Sequence, residues 1–275
     1  MIYPLDRTIN VLSFGAGVQS SALLLMYVNG MFKDKLDLVV FADTQSEPNE
    51  VYIWLEKMKE ICKRSGIKYI EGTRGNLMAD TLSGKIKNGT FAIIPFFTKN
   101  QDGAASIGKR QCTFDYKIHV VHQAIRNELG YEPKKRVKHK VKMIMGISFD
   151  EMQRCKTSMV PWIENHFPLV FEQSIRRQQC VEYVKKHLSE KPPRSACLIC
   201  PYKRNDEWRD LLDSSPDEFE AACDFDDKLR LLPKLKGQNY VHRSCVPLRD
   251  ADLYEENKDQ MGFSFLDECD GMCGI

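Results

Sequence analysis

The sequence lacks the features that mark membrane, secreted and fibrous proteins. No stretch approaches the ~20 consecutive apolar residues that a membrane span needs. The amino terminus, MIYPLDRTIN, has no basic segment followed by an apolar one. Because 43% of the residues are hydrophobic and 28% are charged, disorder, collagen and coiled coil are excluded. We therefore expect a globular protein of the cytoplasm that has no membrane partner.

An excess of charge of one sign is also missing. The 275 residues hold 40 Lys and Arg against 38 Asp and Glu, which leaves a net charge of +2. This balance does not create the basic field of a dedicated nucleic-acid coat protein. A nucleic acid would have to be held by a local strip such as Lys134 to Lys142 (KKRVKHKVK), although basic runs of this kind are usually solvated loops.

Apolar runs and helical patterns alternate in the first part of the chain. Four short buried strands are predicted, at Thr8 to Phe14, Leu36 to Ala42, Lys68 to Glu71 and Val141 to Ile147. Strands that alternate with helices predict an α/β fold, a Rossmann-like parallel sheet sandwiched by helices. Ligands of such sheets bind beyond the carboxyl ends of the strands.

The pattern changes to helices and loops from Glu172 onward. Helices are predicted at Gln173 to His187, Asp206 to Leu212 and Pro216 to Arg230, and no strong strand signal follows. We therefore expect an α/β domain in residues 1–171 and a helical, cysteine-bearing carboxy-terminal region in residues 172–275.

Cysteine is unusually frequent, with ten in the chain. Disulfides do not persist in a reducing cytosol, so closely spaced cysteines there indicate metal or redox chemistry. Cys197 and Cys200 have two residues between them, a spacing that lets both sulfurs turn toward one metal, although buried packing thiols are the alternative. Cys62, Cys155 and Cys223 have no metal-like spacing and are expected to pack in the core.

A glycine turn follows the first predicted strand and precedes a helix. It reads SFGAGVQSS from Ser13 to Ser21. Glycines let backbone N–H groups approach a phosphate, and a helix amino terminus adds partial positive charge. No Lys precedes Ser20, and Ser20 stands where a dinucleotide-binding fingerprint has its third glycine. By itself the turn predicts either a phosphate site or a tight strand-to-helix connection.

The turn resembles the modified phosphate loop of the phosphoadenylyl-sulfate (PAPS) reductase and ATP-pyrophosphatase superfamily, also described as adenine nucleotide alpha-hydrolases. Gln19 stands where many pyrophosphatases have an aspartate, so the turn is closer to the reductase version. Further segments resemble the phage and bacterial reductase-like branch in order along the chain. They are Phe41 to Thr44, Arg110 to Thr113 with Tyr116 and Lys117, Gly146 to Ser148 with Asp150, Glu151 and Arg154, Ser195 to Pro201, His242 to Pro247, and Glu268 to Gly274.

The resemblance implies a site for ATP or an adenylyl-sulfate-type nucleotide. It places the phosphates at the glycine turn and Asp43 beside the nucleoside. The residues expected to bind the nucleotide are Ser13, Gly15, Ala16, Gly17, Gln19, Ser20, Ser21, Asp43, Gly146 and Arg154.

The resemblance also implies a 4Fe-4S cluster. In the related reductases a Cys-Cys pair at the position of Cys112 joins a later Cys-x-x-Cys, but here the first member of the pair is Gln111. A fourth ligand must come from elsewhere, or one iron stays open, and zinc bound by thiolates is the alternative metal. The expected ligands are Cys112, Cys180, Cys197 and Cys200, and the competitors of Cys180 are Cys245, Cys269 and Cys273.

The predicted catalytic residues are two cysteines in the last segment of the sequence, Gly262 to Ile275. Glu268 to Gly271 resembles a Glu-Cys-Gly segment in which a mobile cysteine attacks sulfur, so the resemblance implies catalysis by Cys269. Cys273 is the second catalytic candidate, although the related segment lacks it. A redox pair, cluster ligands or a local zinc site remain open for these two thiols.

Three functions follow from these expectations. The favoured one is sulfonucleotide reduction by cysteine thiolates and an iron-sulfur cluster, with a thioredoxin-like or other electron donor. The second is an ATP-pyrophosphatase-type sulfurtransferase that adenylates and thiolates a nucleic-acid acceptor. The third is a non-enzymatic, nucleotide-binding interaction protein stabilised by zinc. Gln19 favours the reductase, whereas the missing fourth cluster cysteine and the extra Cys273 favour the transferase.

Overall fold

A five-stranded parallel sheet forms the centre of the computed structural model, which describes residues 3–84, 94–99, 105–233, 235 and 237–254. Its strands are β1 (Thr8–Phe14), β2 (Leu38–Asp43), β3 (Lys68–Thr73), β6 (Lys140–Met145) and β7 (Ile163–His166). They lie in the order β3-β2-β1-β6-β7, and every neighbouring pair is parallel. The predicted α/β, Rossmann-like fold class is confirmed.

Helices cover both faces of this sheet. The α-helices are α1 (Val18–Val28), α2 (Asn49–Arg64), α3 (Leu77–Leu82), α4 (His119–Glu128), α5 (Pro168–Phe171), α6 (Arg177–Leu188), α7 (Asn205–Ser214) and α8 (Pro216–Arg230). A π-helix spans Thr113–Ile118, and 3-10 helices span Phe149–Arg154 and Leu248–Asp250. On one face α1, α2 and α6 pack against side chains such as Leu12, and on the other face α4 packs against side chains such as Val11. Successive strand residues thus point to opposite cores, as the pleat requires.

The strands end together at one edge of the sheet. In the register of the central strand, Phe14 pairs with Phe41 of β2, and Ser13 pairs with Met145 of β6. The strand β1 is buried along its length after Thr8, because helices cover both of its faces. The carboxyl ends of β1, β2 and β6 therefore form a common edge, on which the predicted site residues depend.

A third hydrophobic core joins the carboxy-terminal region to segments from earlier in the chain. It contains Trp208 of α7 and Phe225 of α8 together with Leu77, Phe96 and Tyr116. A small antiparallel sheet lies beside it and is made of β4 (Phe97–Lys99), β5 (Ala105–Ile107) and β8 (Asn239–Tyr240). The strand β8 was not expected from the sequence, since two residues are too short for a periodic signal.

A buried carboxylate of α8 holds the loops that follow β8 against that helix. Asp226 of α8 accepts hydrogen bonds from the backbone N–H of Val241 at 2.7 Å and of Leu248 at 2.9 Å, and it pairs with Arg230. The carboxylate thereby satisfies two loop donors in the core.

The division of the chain into two domains between residues 171 and 172 stays a prediction. No helix of the described residues is long and apolar enough to cross a membrane.

Candidate nucleotide and thiol site

The glycine turn connects β1 to α1 at the common edge. Helix α1 begins at Val18, and Gly17 precedes it in an extended conformation with φ −91° and ψ −175°. The positive φ of the turn, 59°, falls on the buried Ala16 and not on either glycine. A residue other than glycine adopts this conformation only where its surroundings impose it, and such residues are concentrated at functional sites. The backbone N–H groups at the start of α1 are suited to an anion.

Gly146, which follows β6, lies directly against the first turn of α1. A Cβ atom at this position would lie 2.9 Å from the backbone N of Ser20 and 3.2 Å from its Cα. Both neighbours are backbone atoms, which cannot rotate away. Glycine is therefore required here by the close approach of two chain segments, and the sequence-predicted Gly146 and Ser20 are brought together.

Gln19 and Arg154 are also brought together, through a carboxylate between them. The Nε2 of Gln19 donates to Oε2 of Glu151 at 3.2 Å, and Nη1 of Arg154 lies 2.9 Å from the same oxygen. All three side chains are at most 10% exposed. Glu151 was not among the predicted binding residues, although the acidic pair Asp150 and Glu151 after the strand was a visible signal.

The three predicted serines differ in what they contact. Ser13 is buried near the end of β1, and the hydroxyl of Ser20 donates to the carbonyl oxygen of Gly17 at 3.3 Å. The hydroxyl of Ser21 accepts a hydrogen bond from Nε1 of Trp54 at 2.9 Å. This bond joins α1 to α2, so Ser21 has a role in packing.

Asp43 ends β2 at the same edge as the glycine turn. Its Oδ1 accepts hydrogen bonds from the backbone N–H of Gln45 at 2.7 Å and from the hydroxyl of Tyr52 at 3.0 Å. Burial, together with the negative charge of Asp43, raises the pKa of Tyr52. The tyrosine therefore stays protonated and holds the carboxylate in a fixed orientation beyond the strand.

Three of the four predicted metal ligands line a single pocket next to this edge. Cys112, Cys197 and Cys200 line it with Thr44, Arg110 and Lys117, and we call it the thiol pocket. The fourth predicted ligand, Cys180, does not line it. The side chain of Cys180 is fully buried on α6 in the core that contains α1 and α2.

A π-helix positions one side of the thiol pocket. It begins immediately after Cys112 and carries the buried side chain of Lys117, whose Nζ lies 3.8 Å from Oε1 of Glu47. π-Helices are rare in proteins, and those that occur are often found at functional sites. This local geometry turns both Cys112 and Lys117 toward the pocket.

Cys197 is held in a polar contact deep in the pocket. Its Sγ lies 3.3 Å from Oε1 of Glu47 and 3.4 Å from Oγ1 of Thr44. Burial raises the pKa of the Cys197 thiol well above its usual range, and the carboxylate of Glu47 raises it further. In the absence of a metal the thiol is thus protonated and donates to Glu47, and metal binding would release this proton.

The three cysteines that line the pocket are of the residue type that binds a thiolate-bound metal centre. Cysteine thiolates are the ligands of iron-sulfur clusters and of structural zinc. Lys117 and Arg110 line the same pocket and would offset part of the negative charge of three metal-bound thiolates. Within the described ranges, no group of three His, Cys, Asp or Glu side chains is placed to hold a single metal ion.

The loop that carries Cys197 is attached at two points to segments that follow β1 and β2 at the common edge. The hydroxyl of Ser195 donates to the carbonyl oxygen of Gly15, which lies 180 positions earlier in the chain. The backbone N–H of Leu198 donates to the carbonyl oxygen of Ser46 at 2.7 Å. The thiol pocket and the glycine turn are therefore parts of one connected site.

Comparisons with known proteins found a likeness among solved structures but none among family models or curated sequences. No protein-family model matches the chain, and no curated protein sequence matches it. Among solved structures, the chain is similar to the U34-tRNA thiolase NcsA from Methanococcus maripaludis with its 4Fe-4S cluster. The sequence identity is 15% and the TM-score is 0.38, over 92% of this chain and 85% of that chain.

The other cysteines form two groups. Those within the described residues do not line the thiol pocket, and the remaining two lie outside the described residues. Cys62 and Cys223 are buried in hydrophobic cores, as expected of packing thiols, and Cys155 packs at the edge of a core. Cys245 is buried, with a positive φ of 54°. The predicted catalytic residues, Cys269 and Cys273, lie outside the described residues.

The basic run lies at the opposite edge of the sheet. Lys140 begins β6 and pairs with Thr8 at the start of β1, whereas the glycine turn follows the end of β1. At ~3.3 Å per strand residue, the two edges are roughly 20 Å apart. Lys142 forms an ion pair with Asp34 at 2.7 Å. The run therefore does not lie beside the glycine turn.

His242 belongs to a buried hydrogen-bond network. Its Nε2 lies 3.0 Å from Oδ1 of Asn205, and its Nδ1 lies 2.7 Å from Oγ of Ser244. Burial and the neighbouring charge of Arg243 lower the pKa of His242 to about 4. The imidazole is thus neutral at physiological pH and joins α7 to the loop that follows β8.

The lowered pKa of His242 predicts a loss of stability in mild acid. Below the ordinary pKa of 6.5 the unfolded chain binds a proton that the folded chain does not take up until about pH 4. We expect this residue to remove about 2 kcal/mol from the free energy of unfolding between about pH 7.5 and about pH 5. Urea unfolding should show a smaller loss in His242→Gln. The exposed His187→Gln control should keep the full loss, and equal losses in all three proteins would contradict the prediction.

Proposed function

We propose that this protein is an adenine-nucleotide-dependent enzyme of sulfur chemistry. The observation that carries the proposal is the thiol pocket, which lies at the carboxyl edge of the sheet and is attached to the glycine turn through Ser195. A nucleotide bound with its phosphates at the turn and its nucleoside near Asp43 would extend along this edge. Thr44, which follows Asp43 directly, lies 3.4 Å from the sulfur of Cys197.

We further propose that Cys112, Cys197 and Cys200 hold a 4Fe-4S cluster. A cluster bound by three protein thiolates supplies a soft, redox-active site for sulfur. The residues of the chain would contribute electrostatics, because Lys117 and Arg110 line the pocket as cations. Burial of Cys197 beside Glu47 and Thr44 fixes the position of one ligand.

Sulfur transfer to an adenylated acceptor is the reaction that this geometry supports best. A carbonyl oxygen of the acceptor attacks the α-phosphate of ATP and releases pyrophosphate, and a sulfur nucleophile then replaces that oxygen, which leaves with AMP. Backbone N–H groups at the start of α1 would stabilise the charge that develops on the departing pyrophosphate. The thiol pocket would hold the sulfur source at the same edge.

Two side chains of the thiol pocket, Arg110 and Tyr202, support a nucleic-acid acceptor. The guanidinium carbon of Arg110 lies 4.9 Å from the centre of the Tyr202 ring, and both residues line the pocket. A planar pair of this kind suits stacking on an unpaired base, which is how proteins commonly hold single-stranded nucleic acid. The acceptor would thus be positioned by stacking, at the edge opposite the basic run.

Sulfonucleotide reduction is the second candidate. It is favoured by Gln19 in place of aspartate, and it requires the sulfur of Cys269 as nucleophile together with an external thiol or other electron donor. The two reactions differ in the nucleotide that they consume and in what they release, so product analysis separates them.

Incubation of anaerobically purified protein with labelled nucleotides tests the proposed function. With ATP, sulfide and bulk RNA or DNA, we expect AMP, pyrophosphate and sulfur incorporated into the nucleic acid. Release of sulfite from adenylyl sulfate in the presence of a dithiol would instead identify the reductase. Nucleotide binding without either product would leave a nucleotide-binding interaction protein, and absence of nucleotide binding would overturn the assignment of the site.

A further inference from the structure

The loop that carries Cys197 and Cys200 also borders a second cavity, a cleft of about 680 Å³ that is distinct from the thiol pocket. Val18, the first residue of α1, and Lys203 both line this cleft. We propose that the cleft holds the two terminal phosphates of a nucleoside triphosphate, with the ammonium group of Lys203 as the specificity-determining contact. The inference rests on the proposed nucleotide site and deepens it, because it names the substrate class: a nucleoside triphosphate and not an adenylyl sulfate.

Lys203 is a buried cation without a counter-charge. It is 6% exposed, and its ammonium group forms no ion pair or hydrogen bond within the described ranges. The Nζ lies 5.6 Å from the centre of the Trp208 ring, which attracts a cation but does not neutralise it. Burial lowers the pKa of Lys203, which reflects the cost of a charge that has lost its hydration. Buried charges are generally paired, so this side chain indicates an anion that binds in the cleft.

The carboxylates that line the cleft do not supply the missing partner. Asp206 and Glu207 form ion pairs with arginines of the same cleft, and Glu50 and Asp210 are exposed. An extended polyanion such as nucleic acid would lie along these acidic side chains and be repelled by them. A compact anion needs only the position beside Lys203. The distribution of charge therefore favours a short phosphate chain over a nucleic-acid strand.

The cleft adjoins the position that we propose for the nucleotide phosphates. The glycine turn leads into α1 at Val18, so a phosphate chain that passes the first turn of α1 enters the cleft. ATP has two phosphates beyond the one that reacts, and the last of them carries a charge of about −2 at neutral pH. An adenylyl sulfate has a sulfonate there, with a single negative charge. A desolvated ammonium group gains more from the more highly charged anion, so Lys203 selects the triphosphate.

The same loop places Lys203 next to the proposed sulfur chemistry. The backbone N–H of Lys203 donates to the carbonyl oxygen of Cys200 at 3.1 Å, and Cys200 lines the thiol pocket. In the proposed transfer reaction, Lys203 would stabilise the charge that develops on the departing pyrophosphate. The leaving group would then lie in the cleft, while the sulfur source lies in the thiol pocket.

Titration calorimetry with four ligands tests the inference on the full-length protein. The ligands are ATP, AMP, adenylyl sulfate and inorganic pyrophosphate, each in a buffer that contains Mg²⁺. We expect ATP to bind at least about tenfold more tightly than AMP and adenylyl sulfate, and pyrophosphate to compete with ATP. Lys203→Met removes the charge and keeps an unbranched apolar side chain. In this variant the ATP-to-AMP affinity ratio should fall to about one, while AMP binds as it does to wild-type protein.

Lys191→Met is the matched control, because Lys191 is an exposed lysine that lines the same cleft. It should keep the ATP-to-AMP ratio, since an exposed charge contributes little in water. Equal losses in the two variants would assign the effect to diffuse charge and would overturn the role of Lys203.

Two comparisons on wild-type protein do not depend on either variant. The inference fails if AMP or adenylyl sulfate binds as tightly as ATP, or if pyrophosphate does not compete with ATP. If none of the three nucleotides binds at all, the proposed nucleotide site itself is wrong.

Discussion

Cys197→Ser should yield a colourless protein without iron or sulfide, whereas anaerobically purified wild-type protein should be brown. Cys197 is the most buried of the three pocket cysteines, and Glu47 and Thr44 hold its sulfur in place. A serine hydroxyl is a hard ligand with a high pKa, so it replaces a thiolate poorly at iron. Because loss of an outer-shell partner already costs roughly 10- to 100-fold in metal affinity or activity, we expect turnover to fall by more than about 100-fold.

Iron and sulfide analysis, the visible spectrum and the product assay measure this effect. Cys155→Ser is the matched control, since Cys155 is half-buried and does not line the thiol pocket. The control should keep its iron, its colour and its turnover. A colourless wild-type protein that holds one zinc would contradict the cluster, and unchanged iron in Cys197→Ser would contradict the assignment of this ligand.

Gly146→Ala should weaken ATP binding by about tenfold or more. The new methyl group would lie 2.9 Å from the backbone N of Ser20, so the end of β6 and the first turn of α1 must move apart. That movement displaces the N–H groups that we assign to the phosphates. Overpacking of this kind also costs about 1–3 kcal/mol of stability.

Calorimetry with ATP and urea unfolding measure the two consequences of Gly146→Ala separately. Gly108→Ala is the control, because a Cβ atom there would meet its nearest neighbour at 3.6 Å, an ordinary contact. The control should bind ATP with wild-type affinity. Wild-type affinity in Gly146→Ala would place the phosphates elsewhere.

Four of the five strands of the central sheet could be predicted because their signal is local, whereas β7 at the side of the sheet was not predicted. Strands covered by helices on both faces are continuous apolar runs, and the predicted Thr8 to Phe14 coincides with β1. The start of α6 was less accurate, since the predicted helix began at Gln173 and the observed one begins at Arg177. Ser174 adopts a positive φ of 51°, which is incompatible with a helix that continues through it. The residue types in this segment do not predict such a conformation.

The candidate site was only partly accessible to sequence reasoning, because its key contacts join distant residues. Glu47 contacts Cys197 across 150 positions, and Gln19 contacts Glu151 across 132, so neither pair produces a spacing motif. Cys180 shows the converse problem. It lies close to Cys197 in the sequence, but α6 carries it into a different core.

The hydrogen bond from Ser195 to Gly15 has a consequence for the order of folding. This bond joins residues that are 180 positions apart. Closing so long a loop costs conformational entropy before the contacts that it allows can stabilise the protein, so we expect the bond to form late in folding. A nascent chain that ends before Ser195 contains the five strands of the central sheet and the glycine turn, but it lacks Cys197 and Cys200. The proposed nucleotide turn of such a chain would be present without the two thiols, so the proposed site could be completed only after Cys200 has been synthesised.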